Sequence, residues 1–458
     1  MVTSEKYNLT PVAVPNVRTA YRRIVTDIPV PQSLPILQAL MESEPQSMRG
    51  QPPIIWDRAR GFQIYDRWGN KWLDFSSGVL VANVGHGREE IREAIKGVLD
   101  RGLLSTFAFV HEKRMELCRV LQGLSPDPAN YQAVLYTGGS EAVEYAIKLA
   151  RTYALEKYGP KRKYLVSFNN AFHGGTLGSV LAGGKAGLKK WIIGEGATFV
   201  QMPFPDGYKN EDVSFLLFLK SLALRNIDPE EVAGVIVESY QGGGPDFMPY
   251  AYAKQLETFC RKNDIVMVYD EMQSGFGRTG KFWGYEHYGV KPDIVTCGKG
   301  LSSSLPISAV IGRKDIMGLY PSGATVSTHS GNPVCAAAAL ASIKLIEKEG
   351  LVKNARKLGV VLASELQRIR CRYPSVLGCV HSLGLVAGIQ VVKKGTKEPD
   401  GQTALQINER CFQKGLLMFA PAGVAGECVK IAPPLVINED ALREGISVIE
   451  KACDEILG

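Results

Sequence analysis

The chain has 458 residues, 45% apolar and 22% charged, a globular composition with material for a large core and more length than one ordinary domain needs. Its formal charge of +7 is dispersed, and the densest basic runs, Lys161 to Lys163 and Lys189-Lys190, are too short for a nucleic-acid surface. Nine cysteines, an odd number without a CxxC pair, exclude a zinc ribbon and read as free thiols in a reducing compartment. The start of the chain carries no apolar signal core and no apolar run reaches membrane length, so the expectation is a cytoplasmic protein that binds neither membrane nor metal.

Residues 1–50 are polar, rich in Pro and weakly periodic, and read as an arm that packs on something else, such as a partner subunit. Phe62 to Asp66 and Arg67 to Phe75 suit a hairpin turned by Gly69-Asn70. Short, apolar strand candidates follow at 133–136, 164–168, 198–200, 235–238, 265–270, 294–296 and 307–311. Such runs fit strands buried on both faces of a mostly parallel sheet. Helical segments alternate with them. The clearest, Glu141 to Lys157, puts Ala142, Val143, Ala146, Ile147, Ala150 and Tyr153 on one face. The order indicates an α/β sheet between helices. After about residue 335 an Ala-rich helix, Val334 to Glu349, leads into an α+β region. The expected division is an arm and part of a small domain over 1–70, a large domain over 71–330, and a C-terminal small domain over 331–458.

Ligands of α/β sheets gather at the carboxyl ends of the strands, and four features fall there. Thr137-Gly-Gly-Ser140 opens the helix at 141, where free N–H groups and the helix dipole favour a phosphate; Ser140 suits an N-cap equally well. Asp270-Glu271 closes an apolar strand, where a carboxylate needs either a cationic partner or a helix to cap. Lys299 stands between Gly298 and Gly300 just past another strand, in a turn where desolvation would make its amine a nucleophile. Phe172-His173-Gly174 sets an aromatic face at a third strand end. Each has an ordinary structural explanation. Together they are a phosphate cup, an acid for a ring nitrogen, a stacking ring and an amine for a carbonyl, which is what one kind of cofactor requires.

The run Val268-Tyr-Asp-Glu-Met-Gln-Ser-Gly-Phe-Gly-Arg-Thr-Gly280, followed by Pro292-Asp-Ile-Val-Thr-Cys-Gly-Lys-Gly300, resembles the class III aminotransferases, a pyridoxal-phosphate family of fold type I. The resemblance spans roughly residues 50 to 455. It implies a large domain with a mostly parallel seven-stranded sheet between helices, plus a smaller α+β domain. It also implies pyridoxal 5'-phosphate, with Lys299 as the Schiff-base lysine and catalytic proton carrier and Asp270 beside the pyridine nitrogen. Gln273 would serve the ring's phenolic oxygen and Gly139 and Ser140 the phosphate, with Phe172 stacked on the ring and His173 next to it. Thr328, in Thr-His-Ser-Gly-Asn-Pro, matches a threonine that reaches a phosphate across a dimer interface, which implies a homodimer with shared sites. Val79 and Leu80 fall where the family lines its substrate pocket.

The departures concern substrate. Gly175 and Gly243 stand where the family motifs have arginine and glutamate, and Lys430 replaces the arginine before Pro-Pro-Leu. A lysine offers a point charge where a guanidinium offers a fork. The expected activity is transfer of an amino group from an amine or amino acid, such as an ω-amine or amino sugar, to a keto acid or other carbonyl. The alternative on the same scaffold is an amino-acid racemase or epimerase.

Overall fold

The structure is a computed structural model that describes residues 7–194 and 196–458. The first six residues of the expected arm lie outside the described residues. Contacts divide the chain into two compact units: residues up to 88 with 353–458, and residues 89–352.

The larger unit is built on α1 (Glu89–Leu99), α2 (Glu112–Gly123), β1 (Tyr131–Tyr136), α3 (Gly139–Tyr158), β2 (Tyr164–Phe168), β3 (Phe199–Met202), α4 (Phe215–Ala223), β4 (Val232–Glu238), α5 (Tyr250–Lys262), β5 (Val266–Asp270), β6 (Ile294–Cys297), β7 (Ser308–Arg313) and α6 (Pro333–Lys348). The seven strands form one sheet in the order β1-β7-β6-β5-β4-β2-β3. The pairs from β6 through β5, β4 and β2 to β3 are parallel. β7 runs antiparallel to both its neighbours, so β1 points the same way as the parallel set. All seven expected strands are present, and their apolar runs have the predicted cause: β4, β5 and β6 are buried along their whole length. Successive residues point to opposite faces. Leu165, Ile236, Val268 and Val310 pack under α3, whose Ala142, Ala146 and Ala150 let the helix approach closely. Phe168 points the other way, into an aromatic layer with Phe204, Phe218 and Tyr252. Fully burying side chains of this size contributes about 1.5–3 kcal/mol each.

In the smaller unit, Gln63–Tyr65 and Lys71–Asp74 pair antiparallel, as the expected hairpin requires. Gly69 takes a φ of +97° in the turn, and Asp66 Oδ1 accepts the N–H groups of Trp68 and Asn70. Much of the stretch expected to pack on something else packs on its own chain. Ile24, Ile28 and Val30 are buried with Trp72 and Phe412, because these apolar residues interrupt the polar run at spacings that face one core. A second sheet joins Leu377–Leu383, Val386–Val391 and Cys428–Ile431, all antiparallel. The helices Gly401–Gln413 and Glu439–Leu457 belong to this unit. The division falls at 88/89 and 352/353, later on both sides than the expected 70/71 and 330/331. The reason lies in α6, which packs on α1 and α2 and so stays with the large sheet. Among the described residues no helix is long and apolar enough to cross a membrane.

Candidate active site

The carboxyl ends of β1, β2, β4, β5 and β6 surround a cavity of about 180 Å³ lined by Gly139, Ser140, Phe172, His173, Asp270, Gln273 and Lys299, together with Glu238 and Tyr240. Sequence positions up to 160 apart are gathered here because parallel strands deliver their ends to one edge.

One wall is the start of α3. The N-cap is Gly138, not Ser140, and the Glu141 carboxylate accepts the N–H groups of Thr137 and Gly138 at 3.1 Å. The first intrahelical bond runs from Ala142 N to Gly138 O, which leaves the N–H groups of Gly139 and Ser140 for an outside acceptor. Ser140 Oγ turns away from its own helix to accept from Gly175 N at 3.0 Å. Twenty residues of aligned dipole stand behind these groups, an arrangement that favours a phosphate. Met272 fills the space behind: its Sδ lies 3.0 Å from where a Cβ on Gly139 would be, and 2.8 Å from one on Gly298.

The floor is Asp270. Its Oδ1 accepts from Met272 N and Thr296 Oγ1, each at 3.1 Å, and its Oδ2 lies 2.8 Å from His173 Nδ1. His173 is buried, and its Nε2 has no hydrogen-bond partner among the described residues. Burial disfavours the imidazolium, but the hydrogen bond and charge of Asp270 outweigh it and raise the His173 pKa. The Asp270 carboxylate is thus fixed from two sides.

Asp270 and Glu271 are adjacent yet opposite in role. Glu271 turns into the protein and is saturated by Ser239 Oγ, Ser274 Oγ, Gly284 N and Tyr285 N. It is the structural half of the pair, as the period of a strand dictates.

Lys299 follows β6 with a φ of +42°, a left-handed backbone that its flanking glycines accommodate. Burial pulls its pKa below the usual lysine range, while the charges of Asp270 and Glu238 pull it back up. A partly desolvated amine of this kind keeps its neutral, nucleophilic form to lower pH.

Glu238, at the end of β4, went unread in the sequence. It is buried, and it accepts from Phe172 N at 3.0 Å and from Gly242 N at 2.8 Å, fixing the aromatic and the following glycine turn. Burial raises its pKa; the charge of His173 opposes that and Asp270 adds to it. Its only sequence signal was a carboxylate closing an otherwise apolar strand, the same signal that marked Asp270. Gly242 also presses on Gln273, whose Nε2 lies 2.3 Å from the position of a Cβ there.

Three expected residues belong to the smaller unit. Val79 and Leu80 lie in a run from Ser77 in which every φ is positive, between +51° and +63°. A β-branched residue in that region is strained, and such strain concentrates at functional sites. Ser77 Oγ ties this run to Ala432 O at 2.6 Å, two residues beyond Lys430. Lys430 is 1% exposed, with its ammonium 5.8 Å from the Phe419 ring centre. Thr328 lies exposed in the larger unit and is not among the residues lining this chain's cavity.

Residues 46–453 match the model of the family Aminotransferase class-III. The chain belongs to that family. It is 33% identical over 405 residues to a protein of Bacillus subtilis named probable 4-aminobutyrate aminotransferase, covering 86% of this chain and 91% of that one. It is also 33% identical over 412 residues to the isoleucine 2-epimerase of Lentilactobacillus buchneri, covering 87% and 89%. Among solved structures, a Bacillus anthracis aminotransferase aligns with a TM-score of 0.83 at 29% identity, over 93% of this chain and 99% of that one. The class III aminotransferases depend on pyridoxal phosphate, and this chain is an enzyme that transfers amino groups with it. The residues fit the group: a helix N-terminus for the phosphate, a doubly anchored carboxylate for the ring nitrogen, and a half-buried lysine opening onto the same cavity.

Proposed function

We propose that this aminotransferase takes its donor from small amines and amino acids and passes the amino group to a keto acid or similar carbonyl, with Lys299 as covalent anchor and proton carrier. The observation that supports this reading is the convergence of Lys299, Asp270 and the start of α3 on one cavity. When bound, the cofactor supplies the electron sink that makes the proton on the substrate's amino carbon removable. Lys299 Nζ would hold the cofactor covalently and, once released as a free amine, would take and return the proton at the substrate's amino carbon. Asp270, held by Met272 N, Thr296 and His173, keeps the ring nitrogen protonated. Phe172 would bound the ring face and Gln273 would serve the phenolic oxygen, since both line the cavity.

Val79 and Leu80 are proposed to line the substrate pocket, on the strength of their strained turn. Lys430 is proposed as a substrate contact on the resemblance alone. We also propose a homodimer in the cytoplasm. The exposed Thr328 would then serve a second copy's phosphate, and the exposed Leu104, Phe109 and Val110 would be covered.

The test is an absorbance spectrum of the purified holoenzyme. A visible band that bleaches with an amine and returns with a keto acid supports transamination. The epimerase relative favours one second reading: a band that persists while an amino acid's chirality scrambles would establish it. No band after pyridoxal phosphate is added would overturn the reading of Lys299.

A further inference from the structure

The segment that follows Phe172 and His173 folds back onto the sheet edge and brings a cation beside Phe172, a residue that lines the cavity. Its anchor is Gly184. The Gly184 N–H bonds Ala171 O at 2.8 Å, and its carbonyl accepts from Asn170 N at 3.2 Å. A Cβ at this position would lie 2.2 Å from Phe168 O and 2.3 Å from Asn170 N, so the backbone is clamped against the end of β2 with no room for a side chain. The next residue is Lys185. Its Nζ reaches to 5.5 Å from the centre of the Phe172 ring, within cation–π range of the aromatic that bounds the cavity. The same Nζ lies 3.6 Å from the place a Cβ on Gly243 would occupy, so it stands between the stacking ring and the bare turn after β4.

The electrostatics of Lys185 are unusual for its neighbourhood. Lys189, one helical turn on, is satisfied by Leu181 O and Gln201 Oε1. Lys185 is half-buried, and among the described residues its ammonium meets the Phe172 ring and makes no ion pair or hydrogen bond. Glu238, at the end of β4, spends its two oxygens on Phe172 N and Gly242 N. Gly243 contributes no side chain. An ammonium beside a cavity-lining ring and without an ion-pair partner is complementary to an anion that arrives with the ligand.

We propose that Lys185 is a substrate-recognition residue, which binds a carboxylate carried by the donor or acceptor at the end remote from the reacting carbon. The inference deepens, and rests on, the aminotransferase reading above. It assigns the enzyme a preference for amines that bear a distant carboxylate over neutral amines of the same length, using a point charge from the 183–190 segment.

Two measurements test it on the holoenzyme. The first compares kcat/KM for 4-aminobutyrate and for n-butylamine. In Lys185→Met the ratio of the two falls about tenfold or more, the size of one charge-assisted contact, and Lys185→Arg restores most of it. The second measures binding of butyrate, which lacks an amine and does not react, by calorimetry. Its affinity falls about tenfold in Lys185→Met and equally in Gly243→Glu, where the new carboxylate neutralises Lys185. An unchanged ratio together with unchanged butyrate affinity in Lys185→Met overturns the proposal. Failure of every amine to alter the wild-type spectrum would instead sink the aminotransferase reading, and butyrate binding would still decide whether Lys185 is an anion site.

Discussion

The two ends of the large sheet are built from the same residue types to opposite effect. At the end away from the cavity, Asp293 is buried and fully used: Arg261 and Arg313 reach its Oδ1 at 2.6 and 2.8 Å, and Met267 N donates to its Oδ2 at 2.8 Å. Arg162 nearby is spent on the carbonyls of Glu230, Asn263 and Asp264. At the cavity end, His173 has a buried nitrogen without a partner, Lys299 has a strained backbone and a depressed pKa, and the helix start leaves N–H groups open. A saturated polar cluster stabilises the fold, whereas an incomplete one waits for a ligand to complete it.

That contrast is breakable at both ends. The largest effect is expected from Lys299→Ala, which should abolish turnover while circular dichroism and melting stay near wild type; retained transaminase activity would refute its role. Asp270→Ala should lower kcat by about a thousandfold, the scale seen when a catalytic electrostatic contact is removed, and a near-normal kcat would take Asp270 out of the mechanism. Asp293→Ala should do the reverse: a loss of about 2–3 kcal/mol in denaturant unfolding with kcat per folded molecule largely kept, because it strands Arg261, Arg313 and Met267 N. If Asp293→Ala instead cuts kcat like Asp270→Ala, the division between the two ends fails.

The smallest effect concerns pH. Lys299 must be neutral to bond the cofactor, so capture of pyridoxal phosphate by the apoenzyme should slow as pH falls through its depressed pKa. Asp270 and Glu238 both hold that pKa up. Removing a negative charge in Glu238→Gln lets it fall further, and the profile should shift to lower pH. A shift to higher pH would mean that Glu238 does not act on Lys299 through its charge.

Much of this molecule was legible in the sequence because its signals are local. An apolar run between turn residues announces a doubly buried strand, and all seven were placed, with β2 matching at both ends. The 139–140 turn, Asp270 and Lys299 were singled out because ligands gather where such strands stop, and the fold brings all of them to one cavity. The pairing of His173 with Asp270, 97 residues apart, was not, since nothing in either neighbourhood specifies the other. Glu238 was missed because it was read as the last residue of a strand. The boundary expected at 330/331 falls at 352/353 because an Ala-rich helix looks alike whether it serves one unit or the next, and only its packing on α1 and α2 assigns it.

Met272 carries a consequence for how this site tolerates change. Its thioether is the shared spacer between the turn that opens α3 and the turn that carries Lys299, in contact range of both Gly139 and Gly298. Neither glycine can gain a methyl group unless the sulfur yields, and a sulfur that yields to one loosens its grip on the other. The three positions therefore form one inherited unit: a substitution at any of them is permitted or forbidden by the state of the other two, and their free-energy effects will not add.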